Sequence, residues 1–137
     1  MCNYSWIWLK PLIQSRRLNI LIIDDNKDIL EILNIYLSEN HRVRIFNCSQ
    51  MALKTYQKYQ NFDLIITDFF MPLLFGYSLI ESILKINSSQ NIIICSGTPC
   101  NEIDLIVNRY RDLIQLIKKP FDFSEFDKAI DTFFSDN

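Results

Sequence analysis

The stretch Asn19–Asp25, which reads NILIIDD, decides the fold, because an unbroken apolar run ends there at two aspartates. Apolar residues without polar alternation are typical of a strand that is buried on both faces, as in the middle of a parallel sheet. Further along the chain, the run Phe62–Thr67 repeats this pattern and again ends at an aspartate, Asp68. The two runs predict a parallel sheet that carries carboxylates at one edge.

Short apolar runs alternate along the chain with segments in which apolar residues recur at helical spacing. The predicted strands cover residues 18–23, 42–46, 62–67, 92–95 and 113–117. The predicted helices cover residues 29–37, 51–59, 77–86, 102–110 and 124–134. Ser124, with Asp127 three residues later, is expected to begin the last helix. Five βα units in succession predict an α/β fold in which helices cover both faces of a parallel five-stranded sheet.

Length and charge exclude several classes of protein. A chain of 137 residues with a net charge of −2 fits one domain and has no basic footprint for nucleic acid, so no nucleic-acid binding is expected. No apolar run reaches the length of a membrane span. The four cysteines lack zinc-site spacing, and no convincing signal peptide is present, so we expect reduced thiols and a cytoplasmic location.

Residues 1–17 precede the first predicted strand and form an extension of unknown role. They contain a short apolar patch, residues 6–9, that is interrupted by Lys10 and Pro11. A packed or frayed tail, or an over-extended translation start, is favoured over a segment that binds a partner or touches a membrane.

Polar residues follow the predicted strands at the edge where open parallel sheets bind ligands. Asp24 and Asp25 follow the first strand, and Asp68 follows the third. Ser96 follows the fourth strand, and Lys119 follows the fifth. Three converging carboxylates repel one another unless a cation is bound, and all-oxygen ligands suit Mg²⁺. Together with a hydroxyl and an ammonium group, they describe a site for phosphoryl transfer in which a carboxylate is the nucleophile.

From residue 18 to residue 134, the sequence resembles the response regulator receiver family of two-component signalling systems. Asn19–Asp28 is similar to the family's first strand and acidic pair. Asp68–Pro72, followed by Gly76, matches its phosphoacceptor motif D-x-x-M-P-x-x-x-G. Ile92–Gly97 is similar to the strand that ends in a hydroxyl and a small residue, and Lys119–Phe121 is its K-P-F signature.

The resemblance implies a flavodoxin-like (βα)5 doubly wound sandwich with strand order 2-1-3-4-5, and a receiver domain over residues 18–137. It implies that Asp68 is the phosphoacceptor. Mg²⁺ would be held by Asp68, by Asp25, by Asp24 directly or through water, and by the backbone carbonyl of Phe70.

The resemblance assigns the remaining site residues as follows. Ser96 would bond a phosphoryl oxygen in the activated state, and Lys119 would pair with Asp68 and then with the phosphoryl group. A cis peptide bond before Pro120 would aim Lys119 into the site. The positions with a structural role at the site are Pro72, Gly76, Gly97 and Pro120.

Three positions depart from the family pattern or stand out within it. The aromatic residue that receivers usually carry three positions before the lysine is replaced by Leu116, so we expect signalling to run differently or more weakly. Asp112 replaces a glycine ahead of the last strand, so the turn there must differ. Phe70 is bulky, and we hypothesise that it shields the acyl phosphate from water.

The expected function is that of a stand-alone receiver, a Mg²⁺-dependent phosphoacceptor rather than an enzyme. Its expected partners are a sensor histidine kinase or histidine phosphotransfer protein and an unknown downstream protein, with a homodimer as one option. The main alternative is a pseudo-receiver that binds proteins without phosphorylation. A magnesium phosphohydrolase is disfavoured because no acid stands two residues after Asp68 or Asp24. A flavin-binding protein is disfavoured because the acidic pair would repel a phosphate.

Overall fold

The computed structural model describes residues 16–72 and 74–135. Except for Arg16 and Arg17, the predicted extension over residues 1–17 lies outside the described residues.

Five strands and five helices alternate along the described chain, as the sequence predicts. The strands are β1 (Asn19–Ile23), β2 (Arg42–Phe46), β3 (Leu64–Thr67), β4 (Asn91–Ser96) and β5 (Ile114–Lys118). The helices are α1 (Lys27–Ser38), α2 (Ser49–Lys58), α3 (Gly76–Ile86), α4 (Asn101–Arg109) and α5 (Phe123–Phe134). Within the described ranges, none of these helices combines the length and the apolar character that crossing a bilayer requires.

All strand pairs are parallel, and the strands lie in the order β2-β1-β3-β4-β5. The fold is therefore the predicted flavodoxin-like sandwich. β3 is buried along its whole length, and β1 and β4 are buried after their first residue. Arg42, Arg44 and Ile45 of β2 are exposed, as suits a strand at the edge of the sheet.

Two hydrophobic layers cover the sheet because successive side chains of each strand point to opposite faces. On one face, Leu21 and Ile65 pack with α2, α3 and α4. On the other face, Ile20 and Ile66 pack with α1 and α5. Cys95 belongs to the second layer and is 1% exposed, and burial raises the pKa of its thiol to about 12. A free cysteine in such surroundings packs as a small apolar side chain.

The start of the last helix differs from the sequence prediction. Asp122, not Ser124, is the N-cap, and Glu125 accepts a hydrogen bond from the Asp122 N–H at 2.7 Å. The spacing from Asp122 to Glu125 is itself that of a capping box, so the sequence offers two candidate starts. Asp127, the expected partner of Ser124, instead accepts a hydrogen bond from the Tyr36 hydroxyl of α1.

Candidate functional site

The carboxyl ends of β1 and β3 bring the three predicted acidic residues together. Ile23 and Thr67 are paired in neighbouring strands, and the Asp68 N–H donates to the Ile23 carbonyl at 2.9 Å. The strand pairing therefore places Asp68 beside Asp24. One carboxylate oxygen from each of Asp24, Asp25 and Asp68 lies within 4.8 Å of the other two.

Lys119 directly follows β5, the strand at the opposite edge of the sheet from β2, and its side chain reaches this cluster. Its N–H donates to the Ser96 carbonyl at 2.9 Å, which extends the β4–β5 pairing by one step. Its Nζ lies 2.9 Å from Asp24 Oδ2 and 3.6 Å from Asp68 Oδ2. The peptide bond between Lys119 and Pro120 is cis, as the resemblance implies. The ammonium group therefore contacts two of the three carboxylates.

Backbone amides hold the carboxylates from the side opposite the lysine. Asp24 Oδ1 accepts the Asn26 N–H at 2.9 Å. Asp68 Oδ1 accepts the Phe69 N–H at 2.7 Å and the Phe70 N–H at 3.4 Å. These bonds leave Asp68 Oδ2 directed toward the lysine side of the cluster. Hydrogen bonds from backbone amides of this kind fix the orientation of a carboxylate.

Burial and mutual charge shift the pKa values of the groups at the site. Burial raises the pKa of Asp68, and the charge of Asp24 adds to this shift, while Lys119 and the backbone amides oppose it. Burial alone would lower the pKa of Lys119, but its hydrogen bond and ion pairs with the two aspartates raise it. The lysine therefore stays charged, and the carboxylates retain a net negative charge that favours a further cation.

The donor set suits Mg²⁺, which prefers several oxygen ligands and keeps some of its water. Asp25 is exposed and Asp68 is partly exposed, so water can reach the cluster, whereas Asp24 is only 2% exposed. The Phe70 carbonyl, the fourth predicted ligand, belongs to the residue whose amide faces Asp68 Oδ1.

Ser96 ends β4 one strand away from Asp68. Thr67 is paired with Ile94, so Asp68 lies one position beyond that pair and Ser96 lies two positions beyond it. Ser96 is 4% exposed, and its Oγ accepts the Thr98 N–H at 3.3 Å. The structure thus places this hydroxyl at the same sheet edge, held by the loop that follows β4.

The two glycines at motif positions differ in their surroundings. A Cβ on Gly76 would lie 2.7 Å from three atoms of Phe69, two of them backbone atoms. A Cβ on Gly97 would lie 3.5 Å from Lys119 Cβ, which is an ordinary contact. Gly76 therefore allows α3 to approach the residue next to Asp68, while a methyl group at Gly97 would be accommodated without a clash.

Pro72 and Leu116 are the other positions that the sequence singles out. Pro72 is exposed, and its carbonyl accepts the Leu74 N–H at 2.9 Å within the loop between β3 and α3. Leu116 lies in β5, paired with Ile94, and packs half-buried against the layer that contains α4.

Sequence reasoning missed two residues that organise the site. Asn26 is the N-cap of α1, and its side chain accepts the N–H groups of Asp28 and Ile29. An asparagine ahead of a helical pattern was an available signal. Phe69 is 1% exposed and anchors the Asp68 loop against Gly76. No local pattern predicts that contact, because the two residues meet only in the fold.

Comparisons with known proteins agree with this geometry. The family profile described as response regulator receiver domain matches residues 20–131. The response regulator SaeR of Staphylococcus epidermidis is 30% identical over 104 residues, which cover 75% of this chain and 44% of SaeR. The chain spans about half the length of the curated relatives it matches.

Solved structures are similar over most of the chain. A response regulator receiver domain protein from Clostridium thermocellum is 25% identical with a TM-score of 0.74, covering 85% of this chain and 94% of that one. The response regulator TrrA from Thermotoga maritima, solved in complex with Mg²⁺ and BeF, is also 25% identical with a TM-score of 0.74. That match covers 85% of this chain and 99% of the other.

Proposed function

This chain belongs to the response regulator receiver family, and from that premise we propose that Asp68 accepts a phosphoryl group from a phosphohistidine. The observation that carries the proposal is the cluster of three carboxylates within 4.8 Å, two of which lie beside the Lys119 ammonium. The cluster lies at the edge of the sheet where β1, β3, β4 and β5 have their carboxyl ends.

Asp25 and Asp68, with Asp24 directly or through water and with the Phe70 carbonyl, would hold Mg²⁺. The bound ion would neutralise charge on the phosphoryl oxygens. The donor set and the partly open site support this assignment, as does the Mg²⁺ in the TrrA complex.

In the proposed transfer, an Asp68 carboxylate oxygen attacks phosphorus as the P–N bond to the donor histidine breaks. The electron pair of that bond leaves with the imidazole, and an acyl phosphate forms on Asp68. The Phe69 and Phe70 amides orient the carboxylate before attack. Lys119 pairs with the new phosphoryl oxygens, and Ser96 bonds another. Positioning and charge neutralisation supply most of the catalysis in such a site.

Signalling would follow from a change in the surface formed by α4, β5 and α5 once Ser96 and Lys119 engage the phosphoryl group. Leu116 occupies the middle of β5 on this surface and lacks the ring that most receivers carry there, so we expect a weaker or different conformational change. The domain undergoes one modification rather than turning over a substrate, which is why we propose a signalling role rather than an enzymatic one.

The expected partners are a sensor histidine kinase or a histidine phosphotransfer protein in the cytoplasm, together with a downstream protein. Action as a stand-alone receiver remains a prediction, and a homodimer remains one option. Sedimentation of the phosphorylated and unphosphorylated protein tests the second of these.

Incubation with acetyl phosphate or phosphoramidate, with and without Mg²⁺, tests the proposal by intact mass. We expect the wild type to gain one phosphoryl group only with Mg²⁺, and Asp68→Asn to gain none. Asp104→Asn, an exposed change in α4, is the matched control and should behave as wild type. An unmodified wild type would support the pseudo-receiver alternative instead.

A further inference from the structure

Among the residues that the structure describes, strand β2 ends the sheet, and one row of its backbone groups has no described strand beside it. Arg42 N donates to Leu18 O at 2.8 Å, and Phe46 O accepts the Asp24 N–H at 3.1 Å. Since backbone groups of alternate residues point to opposite sides of a strand, those of Val43 and Ile45 face away from β1. A strand of another molecule could bond to these groups.

A basic concavity flanks β2 on the side of α2. It has a volume of about 440 Å³, and Arg42, Arg44, Tyr59 and Asn61 contribute to its lining. Among residues 16–72 and 74–135, neither arginine forms an ion pair. The Arg44 guanidinium lies 5.5 Å from the centroid of the Phe46 ring, which holds it over the sheet. Two guanidinium groups are thus available to carboxylates at this edge.

A second concavity of about 490 Å³ flanks β2 on the side of α1, and its lining includes Leu30, Asn34 and Ile45. Ile45 is 40% exposed, and Val43 packs half-buried against the α1 layer. The two faces of the free edge therefore differ, because β2 presents Arg42 and Arg44 on one face and Val43 and Ile45 on the other. Lys27 and Glu31 of α1 also line the concavity on the second face.

We propose that β2 is a docking edge for an extended segment of another protein in which acidic and apolar side chains alternate. Neighbouring strands place directly opposed side chains on the same face. Acidic residues two positions apart would therefore lie beside Arg42 and Arg44, and the residues between them would lie beside Val43 and Ile45. This edge is separate from Asp68, so the inference goes beyond phosphoryl acceptance.

Two other segments could occupy this edge, namely β2 of a second copy and residues 1–17 of the chain itself. Charge favours an acidic partner over both. If β2 paired with β2 of a second copy, arginine would face arginine, which disfavours pairing. Residues 1–17 of the chain contain no aspartate or glutamate, so they offer no complement to the arginines.

The probe is an acetylated peptide of sequence TEVEVET, titrated into the isotope-labelled full chain and followed by two-dimensional amide NMR. We expect the Val43 and Ile45 amide signals to shift and their hydrogen exchange to slow. The peptide TEEEVVT, of identical composition, should produce markedly weaker effects. A TEVEVET peptide that is N-methylated along its backbone should produce none, because it keeps its side chains but has no N–H donors.

Charge reversal on the protein provides the second test. Arg42→Glu combined with Arg44→Glu should weaken TEVEVET binding by about tenfold or more and should bind TKVKVKT instead. Equal binding of TEVEVET and TEEEVVT, or full binding of the N-methylated peptide, would overturn the proposal. So would shifts at Val43 and Ile45 that depend on protein concentration alone, since a second copy would then cover the edge.

Discussion

Adding one methyl group at Gly76 should destabilise the protein, whereas the same change at Gly97 should not. These are the only glycines in the chain, so each serves as the control for the other. A Cβ at Gly76 would lie 2.7 Å from the Cα, O and Cδ1 of Phe69, while a Cβ at Gly97 would meet only Lys119 Cβ at 3.5 Å. Neither glycine has a positive φ, so alanine is compatible with the backbone at both positions.

The size of the expected loss in unfolding free energy follows from the contact distances. Carbon atoms prefer separations of about 3.5–4.0 Å, so Phe69 or α3 must move by about 1 Å to admit the methyl group. Overpacking of this kind typically costs about 1–3 kcal/mol. The better helix propensity of alanine offsets up to about 1 kcal/mol of that cost. We therefore expect Gly76→Ala to lose about 1–2 kcal/mol, and Gly97→Ala to stay within about 0.5 kcal/mol of wild type.

Urea unfolding, followed by circular dichroism, measures this difference. With a slope of about 2 kcal/mol per molar urea, the midpoint of Gly76→Ala should fall by about 0.5–1 M. The same displacement moves the Phe69 amide that donates to Asp68 Oδ1 at 2.7 Å, so phosphorylation by acetyl phosphate should also slow. If Gly76→Ala unfolds at the same urea concentration as Gly97→Ala, the close approach of α3 to Phe69 does not constrain the fold, and the reasoning fails.

Three further predictions follow from single contacts. Lys119→Met removes the ion pair of the buried Asp24, so it should cost about 1–3 kcal/mol of unfolding free energy at neutral pH, as measured by urea unfolding. His41, the only histidine, accepts the Leu18 N–H at 3.2 Å, and burial lowers its pKa below the ordinary 6.5. Its stabilising contribution should thus be present above pH 6.5 and decline as the pH falls from 6.5 toward the lower pKa of the folded imidazole, which NMR titration locates, and His41→Gln should flatten this dependence. Phe70→Ala, at a ring that is 39% exposed, should speed hydrolysis of the acyl phosphate, and an unchanged dephosphorylation rate would refute the shielding hypothesis.

The sheet could be predicted from sequence because burial on both faces leaves a direct mark on composition. The runs in β1, β3 and β4 are apolar at nearly every position, and only a strand covered by helices on both sides tolerates this. β2 lacks this pattern, and its exposed residues belong to the strand at the edge of the described sheet. Helix boundaries were harder to predict, since Asp122 and Ser124 both fit an N-cap. The structure decides between them, because Asp127 accepts a hydrogen bond from Tyr36 of α1 instead of pairing with Ser124.

The chemical components of the site also came from sequence, because parallel strands must end at one edge. What the sequence left open was which carboxylate is buried and which is exposed. Asp24 and Asp25 are chemically identical neighbours, yet Asp24 is buried against Lys119 while Asp25 is exposed. This difference depends on the register of β1 with β3 and on the path of the chain after β5, neither of which is written in the local pattern.

By itself, then, the sequence determined the alternation of strands and helices and the order of acid, hydroxyl and lysine along the chain. Local side-chain periodicity encodes burial, so these features are legible residue by residue. Only the tertiary structure decided the fit of Gly76 against Phe69, the 2.9 Å contact between Lys119 and Asp24, and the paired concavities beside β2. The two contacts join residues that are not neighbours in sequence, and the two concavities lie between separate elements. Their geometry is set by the packing of the whole domain.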